Sequence, residues 1–232
     1  MNHLHFSQIN STQSYLLDKY SGESGDVLIS CDKQIKGHGQ YGREWDDYPG
    51  SLSFSFTLSA HEVMSLTSLE VGCLIHQYFK QYYNLTVKLK WPNDILTNNG
   101  HKVGGILINN RKDNKFLVVG IGLNYFSSED FSSKTKGYTT PYGYLFDKEF
   151  SVDAKAETEK IYKFILDNRF ISEDSIIRYW TQHCFHLYKS VTIIDADESH
   201  QGVFTGIGSH GQAILEEENG FKEFFTGSVI IS

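Results

Sequence analysis

Two kinds of hydrophobic periodicity stand out along the chain. Between residues 51 and 58, Leu or Phe at even positions alternates strictly with Ser or Thr at odd positions. This two-residue period predicts a β-strand with one buried and one exposed face. Residues 63–82 instead carry apolar side chains mostly three and four positions apart, which predicts an amphipathic helix. Ser59 and Glu62 have the spacing of a capping box, so we expect that helix to begin beside them.

Shorter apolar runs, separated by turn residues, predict the remaining elements. Further helices are expected at residues 13–20 (behind Ser11-Thr12), 153–170 and 172–185, and further strands at 27–29, 87–91, 103–108 and 116–123. After Leu187 the chain changes to short strands with glycine-bearing turns, at 191–194, 203–207, 213–216, 221–225 and 229–231. We therefore predict an α+β fold with a catalytic or binding domain at 1–186 and a small β-barrel domain at 187–232.

Composition narrows the class of protein. With 40% hydrophobic and 21% charged residues, the 232-residue chain has the make-up of a globular protein. We expect neither a transmembrane helix nor a signal peptide, and hence no membrane partner. The three cysteines (Cys31, Cys73 and Cys184) are too widely spaced for a disulfide framework and fit a reducing cytoplasm. The net charge of −7 argues against a nucleic-acid-binding surface.

A glycine-rich segment is the first candidate for chemistry. Residues 37–42 read Gly-His-Gly-Gln-Tyr-Gly, which matches the dinucleotide-binding pattern GxGxxG. That interpretation needs a helix directly afterwards, but residues 43–50 lead through Pro-Gly to a strand, so we reject it. The remaining interpretation is a loop whose amides approach an anion, with Arg43 as a cationic fork and Trp45 as a stacking surface. The alternative is a surface loop in which Trp45 anchors the core.

Two further segments combine polar side chains with glycines at strand ends. Lys90 ends a predicted strand and is followed by Trp-Pro-Asn-Asp, then by Gly104-Gly105 on the next strand. An exposed lysine facing a glycine-rich loop would clamp an anion, whereas the plainer alternative is a hairpin with Lys90 in solvent. The strand that contains Gly120 and Gly122 permits close approach, and the amide of Asn124 at its end can read a base edge.

Together these segments resemble the biotin–protein ligases in order and approximate spacing. The matching positions are Gln34, Gly37, Gly39, Gly42, Arg43 and Trp45, then Lys90-Trp91-Pro92-Asn93-Asp94, Gly104-Gly105-Ile106-Leu107, Gly122 and Asn124. Lys-Trp-Pro-Asn-Asp is the most specific of them, and Ser11-Thr12 is similar to the family's opening Ser-Thr-Asn. The resemblance covers the whole chain. It implies a core akin to class II aminoacyl-tRNA synthetases and a barrel of the Src-homology-3 type.

The resemblance also implies an activity and a set of roles. The enzyme would form biotinyl-5'-AMP from biotin and Mg²⁺-ATP and transfer biotin to a lysine of a biotin carboxyl carrier domain. Lys90 and Arg43 would be catalytic, and no metal ligand is assigned to the chain. Biotin would be bound by Ser11, Thr12, Gln13, Gln34, Gly37, His38, Gly39, Gln40, Lys90 and Gly105. ATP would be bound by Arg43, Trp45, Asn93, Lys102 and Asn124.

The chain departs from the family at several positions. His38 and Gln40 stand where relatives often carry arginine, and Gln13 stands where they carry asparagine. Only ten residues precede Ser11, so we expect no winged DNA-binding domain and no DNA partner. The oligomeric state stays open, with a homodimer among the states considered.

Three other functions compete with this interpretation. A lipoate–protein ligase would share the core and the adenylation chemistry, although its arginine- and glycine-rich signature is not evident. A non-catalytic biotin- or nucleotide-binding module is the second. A zinc protein is the third, on the basis of His183-Cys184-Phe185-His186, but that cluster lacks a fourth ligand and a packed set is favoured.

Overall fold

The computed structural model describes residues 1–19, 26–110, 116–127, 140–147, 152–170, 172–196 and 198–231. The helices are α1 Thr12–Lys19, α2 Leu66–Tyr83, α3 Ala154–Asp167 and α4 Glu173–His183. The strands are β1 Asn2–Phe6, β2 Val27–Cys31, β3 Gly37–His38, β4 Glu44–Trp45, β5 Ser51–Ser59, β6 Lys88–Lys90, β7 Asp94–Leu96, β8 Lys102–Asn110, β9 Phe116–Asn124, β10 Ser190–Asp195, β11 Glu198–Ile207, β12 Ala213–Glu217, β13 Gly220–Phe224 and β14 Ser228–Ile231.

The chain divides into two compact units. The first contains Met1–Ala60 and His101–Asp167, and the second contains His61–Gly100 and Asn168–Ser232. The predicted domain boundary between residues 186 and 187 stays a prediction. Within the second unit, the sheet that begins at β10 shares its hydrophobic core with α2 and α4.

A mixed sheet organises the first unit. Its strands lie in the order β1-β2-β5-β9-β8, with β1 parallel to β2 and the other neighbours antiparallel. The predicted α+β class is therefore confirmed. The apolar alternation predicted β5 correctly. β1 was not predicted, although Leu4 and Phe6 alternate with His3 and His5 in its sequence.

The prediction that β5 has one exposed face is wrong, because residues 51–58 are buried on both faces. The apolar face packs under α3, where the rings of Phe56 and Tyr162 lie 5.1 Å apart. The Ser/Thr face is covered by α1, and the hydroxyl oxygen of Ser55 lies 2.9 Å from that of Thr12. Burial of these hydroxyls is tolerated because each finds a hydrogen-bond partner.

The second unit combines α2, α4 and the hairpin of β6 and β7 with a five-stranded antiparallel sheet, ordered β13-β12-β11-β10-β14. The predicted capping box is wrong. Ser59 is the last residue of β5 and pairs with Phe116 of β9. α2 begins seven residues later, at Leu66. In contrast, the Ser172 hydroxyl does cap α4 by accepting the amide of Ser175. Among the described residues, no helix is long and apolar enough to cross a membrane.

Candidate functional site

One face of the mixed sheet gathers most of the predicted site residues. Gly122 of β9 pairs with Ser53 of β5 on one side and with Gly105 of β8 on the other. Because side chains alternate across a strand, Gly120 and Asn124 point to the same face as Gly122. α1 and the glycine-rich segment lie on this face. Lys90 and Asn93 belong to the second unit.

The start of α1 forms one wall of this site. Ser11 caps the helix by accepting the amide of Ser14 at 3.3 Å. The Thr12 amide and hydroxyl donate to Oε1 of Gln34, at 2.9 and 3.2 Å. All of Ser11, Thr12 and Gln13 are buried. This wall is therefore held by side-chain contacts between segments far apart in the sequence.

Gln13 reaches across the sheet to β8 and β9. Its Nε2 donates to Oδ1 of Asn109 at 2.9 Å and to the carbonyl of Val118 at 3.0 Å. Its Oε1 is buried and has no hydrogen-bond partner among the described residues. A Cβ at Gly120 would lie 2.6 Å from this oxygen, so the glycine is what makes room for Gln13.

The glycine-rich segment is a β-hairpin. β3 pairs with β4, and the turn between them includes Tyr41 and Gly42 with positive φ angles of 57° and 71°. A hairpin replaces the helix that a dinucleotide-binding motif requires, which agrees with our rejection of that motif. Arg43 is exposed, with its guanidinium carbon 5.9 Å from the centre of the Tyr41 ring. His38, Gly39 and Gln40 are half-buried along the same hairpin.

Asp47 closes the base of this hairpin and was missed from the sequence. Its Oδ2 accepts the backbone amide of Gln34 at 2.6 Å, and its Oδ1 accepts the Ser53 hydroxyl at 2.7 Å. Burial raises the pKa of Asp47, while these two hydrogen bonds and the charge of Lys33 oppose the rise. The available signal was the serine face of β5, which we interpreted as solvent-exposed.

Trp45 lies on the glycines of the sheet. A Cβ at Gly122 would be 2.4 Å from Cε2 of the indole, whereas a Cβ at Gly105 would be 3.7 Å from Cζ3. Lys102 approaches the same ring, with Nζ 5.9 Å from its centre. Trp45 Nε1 is buried without a hydrogen-bond partner in the described part of the chain. Trp45 therefore packs against the sheet and presents an aromatic surface beside a cation, while its assignment to ATP stays a prediction.

Asn124 brings a third unsatisfied atom to this face, after Gln13 Oε1 and Trp45 Nε1. Its Nδ2 donates to the carbonyl of Gly143 at 3.1 Å, which fixes the orientation of the amide. Its side chain is 1% exposed, and Oδ1 finds no donor among the described residues. Buried acceptors are usually hydrogen-bonded, so an unmatched one at a candidate site is a place for a ligand donor.

In the second unit, Lys90 is the last residue of β6 and pairs with Asp94 at the start of β7. Its Nζ lies 3.2 Å from Oδ2 of Asp94, and the residue is only 5% exposed. The expectation of an exposed Lys90 is therefore wrong. Trp91, in the turn, donates from Nε1 to the carbonyl of Gly211 at 3.0 Å, and Asn93 is half-buried in the same turn.

The histidine-rich segment after α4 is packed. His183 stacks on His76 with ring centres 3.9 Å apart, while the Cys184 Sγ lies 3.5 Å from Nδ1 of His186. Burial lowers the pKa of His186 to about 3 and raises that of Cys184 to about 12. In the described ranges no group of three or more His, Cys, Asp or Glu side chains is placed to hold a metal ion. The zinc interpretation thus has no support here.

Comparison with known proteins gives the class. Residues 5–125, just over half of the chain, match the Biotin/lipoate A/B protein ligase family. The chain belongs to this family.

Individual relatives agree with that assignment. Biotin–protein ligase 2 of Arabidopsis thaliana is 40% identical over 111 residues, which cover 43% of this chain and 33% of that protein. The biotin–[acetyl-CoA-carboxylase] ligase of Paracoccus denitrificans is 26% identical over 90% of this chain and 92% of its own length. A structure of the biotin protein ligase from Aquifex aeolicus in complex with biotin and ATP superposes with a TM-score of 0.83 at 26% identity. It covers 100% of this chain and 99% of that one.

Proposed function

We propose that the chain is an ATP-dependent biotin–protein ligase that acts on a biotin carboxyl carrier domain. The proposal rests on the family, on relatives named for this activity, and on one observation above all. Asn124 holds a fixed and buried acceptor, unmatched among the described residues, on the face where Trp45 lies over strand glycines. An amino-purine would supply the missing donor and a ring for the indole to stack on.

The first half-reaction needs positive charge. A carboxylate oxygen of biotin attacks the α-phosphorus of ATP; the new P–O bond forms as the bond to pyrophosphate breaks. Two anions approach each other, so fixed cations stabilise the transition state. We assign this role to Lys90 and Arg43, with Lys102 and Asn93 near the phosphates. We propose that biotin is held by Ser11, Thr12, Gln13, Gln34, the hairpin from Gly37 to Gln40, and Gly105.

Magnesium is proposed to arrive with ATP. The described residues contain no cluster that would hold a resident metal ion. Mg²⁺ usually keeps several waters and is bound by substrate phosphates together with only one or two protein carboxylates, so it needs no such cluster. When bound, it would neutralise part of the phosphate charge.

In the second half-reaction the acceptor amine attacks the activated carbonyl, the C–O bond to AMP breaks, and the amine loses a proton. A lysine of ordinary pKa near 10.4 is neutral in only about one part in a thousand near pH 7.4. The site therefore has to present the amine unprotonated, and we expect positioning to supply much of the rate.

Two finer points belong to the same proposal. The antiparallel order β13-β12-β11-β10-β14 is compatible with a barrel of the Src-homology-3 type, and the mixed sheet with a synthetase-like core. Cys31, Cys73 and Cys184 are all free thiols, which supports a reducing compartment such as the cytoplasm.

The test is biotin-dependent exchange of labelled pyrophosphate into ATP, followed by mass spectrometry of a purified carrier domain. We expect exchange with biotin, none without it, and a carrier heavier by one biotinyl group. Exchange that depends on lipoate instead of biotin would favour the other branch of the family. Binding of biotin without exchange would favour a non-catalytic module.

A further inference from the structure

The hairpin that carries Arg43 and Trp45 has a short backbone ladder. β3 and β4 are each two residues long, and the turn adds hydrogen bonds between Gly39 and Arg43 and between Arg43 and Gln40. Such a short ladder does not hold a fixed position by itself. Its position therefore depends on contacts outside the ladder, which are the packing of Trp45 on Gly122 and the hydrogen bonds at the base of the hairpin.

The incoming side of that base is fixed by backbone hydrogen bonds. The amides of Ile35 and Lys36 donate to the carbonyls of Ile9 and Asn10, at 3.0 and 2.8 Å. The outgoing side has Asp47, whose carboxylate joins the Gln34 amide on the incoming side to the Ser53 hydroxyl on β5. Asp47 thus connects both sides of the hairpin to the sheet.

We propose that Asp47 is a positioning residue for adenylation, which clasps the glycine-rich hairpin over Gly122 so that Arg43 and Trp45 are ready for ATP. This inference rests on the proposed function. Gln34 extends the same connection, since its side chain accepts both donors of Thr12. One carboxylate therefore links the proposed nucleotide side of the site to the proposed biotin side.

Loosening the clasp has a specific kinetic signature. If the hairpin is in place only part of the time, only that fraction of the protein can bind ATP. The apparent affinity for ATP then falls in proportion to this fraction. Asp47→Ala should raise KM for ATP about tenfold or more, with a much smaller change in kcat. Asp47→Asn keeps one acceptor for Gln34 and can donate to Ser53, so its effect should be intermediate. A loss of folded enzyme alone would lower kcat and leave KM unchanged.

The matched control is Asp46→Asn, which removes the same charge one position earlier in the chain. The activity-independent measurement is hydrogen exchange by mass spectrometry, in which residues 37–45 should exchange faster in Asp47→Ala while α2 keeps its rate. Unchanged exchange, an unchanged KM, or an equal effect of Asp46→Asn would overturn the role of Asp47. A different result would separate the two proposals. If the wild type lacked biotin-dependent pyrophosphate exchange while Asp47→Ala still showed faster hydrogen exchange in the hairpin, the proposed function would be refuted. Asp47 would then be only a structural contact that holds the hairpin.

Discussion

Lys90 illustrates how a single side chain can differ from its local sequence signal. A lysine at the end of a strand normally reaches solvent, but this one is 5% exposed and lies 3.2 Å from Asp94. Removing one member of a buried ion pair leaves the other charge uncompensated, which costs about 3–5 kcal/mol. Lys90 therefore contributes to stability as well as to the proposed chemistry.

We predict that Lys90→Ala abolishes pyrophosphate exchange and also lowers the free energy of unfolding. The double variant Lys90→Ala/Asp94→Ala should recover part of the stability, because the carboxylate that paired with Lys90 is removed as well, but none of the activity. Lys88→Ala, on the same strand, serves as the control. Pyrophosphate exchange measures the activity, and chemical denaturation measures the free energy of unfolding. Exchange at the wild-type rate in Lys90→Ala would rule out the role of Lys90 in adenylation.

At Gln40, a neutral amide stands where the resemblance to the family implies an arginine. Hydrogen bonds from a charged donor to phosphate are stronger than those from a neutral donor. We predict that Gln40→Arg slows the release of labelled biotinyl-adenylate, by about tenfold if about 1.4 kcal/mol is gained. Gln40→Met, similar in size but without a donor, should not slow release. Equal or faster release from the arginine variant would mean that this position does not face the phosphate.

At the scale of elements, β8 and β9 present two opposed glycines with different tolerance. A Cβ at Gly122 would overlap the Trp45 ring, whereas one at Gly105 would make ordinary contacts. Gly122→Ala should therefore displace the indole and weaken ATP binding by at least tenfold, which corresponds to about 1.4 kcal/mol. Gly105→Ala is the matched control, with a smaller expected effect. Calorimetric titration with ATP would contradict this prediction if both variants bound alike.

The edge strand β1 is joined to its neighbours by a chain of polar contacts. Ser30 Oγ lies 2.8 Å from both His3 Nε2 and His5 Nδ1. The other ring nitrogens face Glu159 at 3.4 Å and Asp32 at 3.1 Å. Each of these four hydrogen bonds needs one donated proton. The Ser30 hydroxyl and two neutral imidazoles provide only three. The longest link, from His3 to Glu159, is the one we expect to be unmade until His3 is protonated.

Burial lowers the pKa of His3, while the hydrogen bond and charge of Glu159 raise it and the charge of Lys155 lowers it further. Glu159→Gln should therefore lower the pKa of His3 more, as measured by NMR titration. The pKa of His3 in the folded protein lies below its unfolded value of 6.5, so the unfolded chain binds the proton more readily. The free energy of unfolding therefore decreases as the pH drops below 6.5. The fall should be steeper in the variant. An unchanged or raised pKa of His3 would contradict this account of β1.

At the scale of the whole molecule, the net charge of −7 sets the electrostatic field. Specific DNA binding depends strongly on neutralising phosphates with Lys and Arg. We predict no sequence-specific binding, as measured by mobility shift over a range of salt concentrations. A sequence-dependent shift that persists at high salt would show that a local basic surface overrides the net charge.

The sequence by itself determined most of the helices and strands and the order of the motifs. Period-two and helical patterns gave β5, α2 and the strands after Leu187, because periodicity is a local property of the chain. The spacing of Lys90-Trp91-Pro92-Asn93-Asp94 and its companion motifs indicated the family without any coordinates.

Only the tertiary structure decided which polar residues became internal. The Ser/Thr face of β5 reads as solvent-exposed until α1 and the hairpin cover it. The start of α2 could not be predicted, because Ser59 has the local pattern of a helix cap. Its pairing with Phe116, which makes it a strand residue, involves a residue far along the chain. The contacts of Asp47 and the burial of Lys90 likewise depended on the tertiary structure. Burial and side-chain pairing depend on residues that meet across the fold, whereas a local pattern records only which side of its own element a residue occupies.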